Sequence, residues 1–223
     1  MKIDNQILKH YLKNVYFITG TAYAGKSTAV KMLAERYGMI LCGENYHMDV
    51  SEVVATPQTH PDLCYNRQLT DWRDFVTRTP EEYERWIYAV GREAAEFEVA
   101  HLIAISQNQR VIVDTNIPLD LLREISDYRH VAVMLSPQSM SVERFFDRTD
   151  PDKQFLLNVI DSCDDPAAVM ANYRAGLARI NSREHYEEYA NSGFFTVVRE
   201  DNGPDTRDEV CERLARHFGL IDQ

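Results

Sequence analysis

Residues 20–27 read Gly-Thr-Ala-Tyr-Ala-Gly-Lys-Ser, directly after the β-branched and aromatic run 15–19. A chain built this way must leave a buried strand, curl tightly and enter a helix. Residues 28–37 carry apolar side chains at helical spacing, and Gly38 supplies the stop. The two glycines, Gly20 and Gly25, let the backbone curl so that successive N–H groups point inward.

The same string fits the pattern G-x-x-x-x-G-K-[ST], and its strand-before, helix-after setting is the one that pattern requires. Lys26 can place a point charge between the β- and γ-phosphates of a nucleoside triphosphate, and the Ser27 hydroxyl can hold Mg²⁺. The helix beginning near Lys26 adds its positive end to the same anion. Gly20, Ala22, Ala24, Gly25, Lys26, Ser27 and Thr28 are therefore the residues expected to hold the phosphates of a nucleoside triphosphate. The competing reading is an ordinary glycine turn with a solvated lysine.

The remainder of the chain alternates strands with helices. Residues 39–42, 111–114, 130–135 and 194–198 read as further short buried strands, since they lack the alternation of a half-exposed sheet. Thr79-Pro80-Glu81-Glu82 is a helix start, with a capping hydroxyl, proline at the first position and acids in the first turn. That helix is expected to reach about residue 107, with Gly91 bending or loosening it. Residues 3–13, 117–128, the stretch after Ser136-Pro137, 166–190 and 205–218 read as helices. The expected fold is α/β, with a parallel sheet inside three layers. One domain spans 1–223, with a loop-rich, substrate-facing insertion at 43–108 rather than a second core.

Composition narrows the partners. Asp and Glu total 35 against 24 Lys and Arg, a formal charge of −11, with no basic block, so a nucleic-acid backbone is not expected as a partner. Cys42, Cys64, Cys163 and Cys211 are scattered and contain no C-x-x-C pair, which suits reduced core thiols. The first residues lack the apolar core of a signal peptide, and no stretch is long enough to span a bilayer. A cytoplasmic protein with no membrane partner is expected; its oligomeric state is left open.

The strand, glycine loop, helix and later buried strands together resemble the P-loop kinase group of small phosphotransferases: nucleoside monophosphate, shikimate, gluconate and zeta-toxin-like kinases. The resemblance implies an α/β/α P-loop fold with five parallel strands in the order 2-3-1-4-5 and a helical lid, here 144–165. It implies ATP and Mg²⁺ at the loop and a small-molecule acceptor. It also implies an acid after the second strand that takes the acceptor's proton; Glu44 is the candidate and Asp49 the substitute. Asp114, closing the strand 111–114, resembles a Walker B acid and pairs with Ser27 as the expected Mg²⁺ site. Arg144 and Arg148, one helical turn apart, resemble the R-x-x-x-R lid of nucleoside monophosphate kinases, whose arginines grip the transferring phosphates. The catalytic set expected is thus Lys26, Glu44, Asp114, Arg144 and Arg148.

Other residues stay at the level of possibilities. Arg199, Glu200, Asp201 and Asn202 follow the fifth strand, where the resemblance sets the adenine, but Asn202-Gly203-Pro204 is also an ordinary turn. Arg67, Arg73 and Arg92 can bind an anionic acceptor, and Trp72 and Trp86 can line its pocket or join the core. His47 can contact substrate, though a lone histidine in a polar loop is more often solvated. The leading functional expectation is a kinase acting on a hydroxyl. The alternatives are a nucleoside monophosphate kinase and a nucleotide-switched binding protein or weak NTPase.

Overall fold

The computed structural model of the 223-residue chain describes residues 3–143, 145–146, 151–200 and 205–221. α1 (Asn5–Tyr11) leads into β1 (Val15–Gly20), followed by α2 (Lys26–Tyr37) and β2 (Ile40–Cys42). The stretch after β2 holds three short helices, α3 (Met48–Val54), α4 (Tyr65–Gln68) and α5 (Arg73–Val76). Then come α6 (Pro80–Ile105), β3 (Val111–Asp114), α7 (Leu119–Ile125) and β4 (Val131–Leu135). The chain closes with α8 (Gln138–Glu143), α9 (Pro151–Asp161), α10 (Pro166–Ile180), α11 (Arg183–Ala190), β5 (Phe195–Val198) and α12 (Arg207–His217).

All strand pairs are parallel and the order is β2-β3-β1-β4-β5, as the sequence reading expected. Register sets Ile18 opposite Asp114 and Gly20 opposite Met134, so the carboxyl ends of β1, β3 and β4 meet at one edge. Neighbouring residues of each central strand serve opposite faces. Phe17, Val111, Val113, Val131 and Val133 pack toward α1, α6 and α7. Ile18, Ile112, Ala132 and Met134 pack toward α2 and α12. Helices on both faces explain why β3 and β4 are buried at every position and show no polar alternation.

Four local expectations change. The segment after β2 builds a second core instead of open loops. Phe75, Val76 and Tyr83 pack there with Ile160, Tyr173 and Leu177. Trp72 and Trp86 join it, so they are core side chains and not a pocket lining. The Arg78 guanidinium lies over the Phe75 and Trp86 rings at 4.1 and 4.5 Å, and its Nε donates to the Phe75 carbonyl, which fixes the step from α5 into α6.

Gly91 does not interrupt α6, which is continuous from Pro80 to Ile105. A Cβ there would lie 3.3 Å from the Asn116 carbonyl oxygen, so this glycine lets the loop after β3 approach the helix. α7 starts late, at Leu119, with extended Pro118 (ψ 146°) as its cap, because Thr115 Oγ1 first accepts the Ile117 N–H. The expected helix 166–190 breaks at Ser182, which is extended and whose hydroxyl accepts the His185 N–H, starting α11.

Candidate functional site

The loop 20–27 is pinned to the end of β4. Gly20 has φ +128°, and a Cβ there would stand 2.0 Å from the Met134 carbonyl oxygen, so no side chain fits. The Thr21 N–H donates to that same oxygen at 3.0 Å, while the Ser136 N–H donates to Thr21 Oγ1 at 2.8 Å.

Three successive loop carbonyls each receive a side-chain donor. Lys26 Nζ donates to Thr21 O at 3.2 Å, and Ser136 Oγ and Ser141 Oγ donate to Ala22 O at 2.5 and 3.0 Å. Arg199 Nη1 donates to Tyr23 O at 2.8 Å. The negative ends of these peptides are thereby tied to donors around the loop. Gly25, in the left-handed region at φ +92°, is the N-cap of α2 and, being glycine, makes no side-chain cap hydrogen bond to that helix. The N–H groups of its first turn are left for an outside acceptor. Donors uncovered and acceptors tied away is what an anion needs.

Lys26, Ser27 and Asp114 come together here. The Ser27 hydroxyl donates to Asp114 Oδ2 at 2.7 Å, and Lys26 Nζ stands 4.0 Å from Asp114 Oδ1. Asp114 is 2 % exposed. Burial raises its pKa above the ordinary carboxylate range, Lys26 and the Ser27 hydrogen bond oppose that rise, and Glu44 adds to it. A hydroxyl and a carboxylate at hydrogen-bond distance form an all-oxygen pair suited to a hard cation such as Mg²⁺. Among the described residues no group of three or more His, Cys, Asp or Glu could hold a metal, so further ligands would have to be phosphate and water.

Glu44 lies beyond β2 and is exposed. Its Oε1 accepts from Asn116 Nδ2 at 3.1 Å, which brings it to the loop leaving β3. Asp49 sits in the first turn of α3, exposed. Ala22, Ala24 and Thr28 fall within the loop and the first turn of α2. Arg144 and Arg148 lie outside the described residues, as do Asp201 and Asn202.

The basic residues after β2 are occupied elsewhere. Arg67 donates to the Glu52 and Ala55 carbonyls, Arg73 pairs with Asp71, and Arg92 pairs with Asp120 at 2.6 Å. Beside the loop a cleft of about 520 Å³ opens between α2, β5 and the start of α12. Thr28, Met32, Val197, Arg199 and Arg207 are among its walls.

Sequence reasoning missed Glu98. This α6 residue is 3 % exposed; its Oε2 accepts from Thr115 Oγ1 at 2.7 Å and from the Tyr46 hydroxyl at 3.2 Å. Burial pushes its carboxyl up to about 7, with Asp114 and Glu44 contributing, against the two hydrogen bonds that lower it. A signal for it exists: Ala94, Glu98 and Leu102 share one helical stripe, and all three are buried. His47 also departs from expectation. It is buried, its Nδ1 has no partner among the described residues, and burial holds its pKa below the ordinary histidine value, with His101 adding to the effect.

No family model matches the chain, and no curated protein matches it. Among solved structures it matches an uncharacterized protein from Eubacterium ventriosum ATCC 27560, at 12% identity and a TM-score of 0.39. That match covers 93% of this chain and 98% of the other, and at so low a score it carries no argument about fold or function. No helix among the described residues is long and apolar enough to cross a membrane.

Proposed function

We propose that this chain is an ATP-dependent phosphotransferase of the P-loop kinase type, which moves the γ-phosphoryl group to a hydroxyl of a small-molecule acceptor. The observation that supports it most is the loop's polarity. Its carbonyls at Thr21, Ala22 and Tyr23 are bound to side-chain donors, while the first turn of α2 is uncapped. The β- and γ-phosphates would accept from the N–H groups of Ala22, Ala24, Gly25, Lys26, Ser27 and Thr28, with Lys26 giving up its contact to Thr21 O to reach them. Ser27 Oγ and Asp114 would hold Mg²⁺, which when bound offsets charge on the phosphate oxygens.

In the reaction the acceptor oxygen bonds to the γ-phosphorus as the bond from that phosphorus to the β–γ bridging oxygen breaks, leaving ADP. Glu44, exposed and held by Asn116, would orient the hydroxyl and receive its proton late in the transfer. Arg144 and Arg148, by resemblance, would close over the phosphates. The cleft lined by Thr28, Met32 and Arg199 would take the nucleoside. Arg67, Arg73 and Arg92 are tied to other groups, which favours a neutral hydroxyl acceptor over a nucleoside monophosphate. Unpaired cysteines and a need for ATP favour the cytoplasm.

The test is calorimetric titration with Mg²⁺·ATP, followed by a screen of nucleosides, sugars and aminoglycosides read by ADP release. Binding that Lys26→Ala abolishes, with one compound class accelerating release, is expected. Glu44→Gln should then lose transfer and keep ATP affinity. ADP release at one unvarying rate with every compound would overturn the kinase reading in favour of a weak NTPase.

A further inference from the structure

Two chain segments carry the carboxylates of the proposed reaction. Residues 43–47, after β2, carry Glu44, and residues 114–117, leaving β3, carry Asp114 and Asn116. Each segment sends one hydroxyl to the same oxygen. The Tyr46 hydroxyl and Thr115 Oγ1 both donate to Glu98 Oε2, which reaches them from α6. Thr115 Oγ1 in turn accepts the Ile117 N–H at 3.0 Å, which sets the turn that presents Asn116 to Glu44. At Asn45, between Glu44 and Tyr46, the backbone is left-handed, φ 64°, a conformation that asparagine adopts more readily than other side-chain-bearing residues and that turns the chain between them.

We propose that Glu98 is the positioning residue that fixes Glu44 against Asp114, by holding the two segments that carry them on one buried carboxylate oxygen. This rests on the phosphotransferase reading for its functional consequence but not for its geometry. Glu98 is too deeply buried to touch an acceptor, so it acts through Tyr46 and Thr115. Deleting either donor should loosen its own segment, whereas deleting the shared acceptor should loosen both. A glutamine keeps a carbonyl oxygen that can accept the same two bonds; a leucine of similar size cannot.

Hydrogen exchange of the folded protein separates these cases, read at the Ile117 amide and at the Met48 amide, which donates to Asn45 O at 3.1 Å. In Glu98→Leu both amides should exchange about tenfold faster than in the wild type, as expected for two buried hydroxyls left without an acceptor. Glu98→Gln should restore wild-type exchange at both. Thr115→Val and Tyr46→Phe, milder changes that spare the fold if the leucine variant does not, should each loosen one segment more than the other. Exchange that rises at neither amide or at only one in the leucine variant, or a glutamine variant as loose as the leucine one, would overturn the assignment.

A second measurement reads function with Mg²⁺·ATP as the probe and water as acceptor. Glu98→Leu should release ADP about tenfold more slowly at an ATP Kd within twofold of the wild type, and Glu98→Gln should recover the rate. Unchanged ADP release beside loosened segments would also overturn the positioning role. A wild-type chain that binds no ATP refutes the phosphotransferase reading instead, and the exchange data then decide the clamp by themselves.

Discussion

Gly20 lies against Met134 so closely that the Met134 carbonyl oxygen occupies the space of a Gly20 side chain, 2.0 Å from where its Cβ would be. Gly20→Ala should therefore cost about 3 kcal/mol or more of folding stability. Gly38 is the control: it is also left-handed, φ 61°, but nothing lies within 4 Å of its missing Cβ. Gly38→Ala should cost only about 1–2 kcal/mol. Urea midpoints at equal m-values measure both, and equal costs would refute the steric account.

Arg199 reaches from the end of β5 to the Tyr23 carbonyl. Arg199→Ala removes one donor from that oxygen, so that it can turn toward a bound anion, and also removes a wall of the proposed nucleoside cleft. The expected result is a three- to tenfold weaker Mg²⁺·ATP affinity, on the order of one hydrogen bond, with the unfolding midpoint nearly unchanged. An unaltered affinity would show that Tyr23 O keeps its orientation without help.

Glu98 makes stability depend on pH in a defined direction. Its carboxyl is raised from 4.5 to about 7 by burial, in the company of Asp114, Glu44, Tyr46 and Cys42, with the His101 and His47 rings against Tyr46. Between those two pH values the folded chain holds a proton that the unfolded chain has released. Stability contributed by this group is thus complete below about pH 4.5 and lost as pH rises through 7, roughly 3 kcal/mol in all. Glu98→Gln cannot titrate, so the wild type should lose stability relative to it across this window. Parallel stability–pH curves for the two proteins would show that Glu98 keeps an ordinary pKa.

The second core should behave as a packed interior. Ile160, fully buried, sits in α9 against residues of α5 and α10. Ile160→Ala should cost about 2–5 kcal/mol and raise exchange in α5, α9 and α10 before it does so in the sheet. Uniformly raised exchange would mean that the two cores open as one.

Thiol reactivity follows burial. Cys42, Cys64 and Cys211 are buried, and the Cys42 thiol is pushed up to about 11 by burial and by nearby Glu98. Cys163 is partly exposed. At pH 8 a disulfide reagent should titrate one thiol per native chain, Cys163, and all four after denaturation. Rapid reaction of a second thiol would contradict the packing around the sheet.

The sheet was legible because its strands are continuous apolar runs. Val111 to Val113 and Val131 to Leu135 have no polar residue to assign to a solvent side, so they call for helices above and below. The pairing of Ser27 with Asp114 was expected from the resemblance to a Walker B acid: Asp114 closes β3, and Ser27 reaches it from the first turn of α2, past the loop that leaves the adjacent β1. What could not be read depends on contacts between distant residues. The helices α4 and α5 are each 4 residues long and are held by Trp86, Tyr83 and Arg78 from beyond them, so their own periodicity is too short to register. Glu98 shares a buried stripe with Ala94 and Leu102, but the stripe does not say what bonds its carboxylate. Its burial is set by Tyr46 and Thr115, which lie 52 and 17 residues away in sequence.

α6 runs unbroken for 26 residues, about 39 Å, and the structure on either side of residue 91 belongs to different interiors. Its first half gives Tyr83 and Trp86 to the second core, and its last half gives Ala95 and Leu102 to the sheet. Residues 43–79 are therefore no removable appendage. A shortened chain without them would bare Tyr83, Trp86, Tyr173 and Leu177 to water and aggregate through that face. For the same reason the segment cannot be transplanted as a specificity cassette unless the front half of this helix and α10 travel with it.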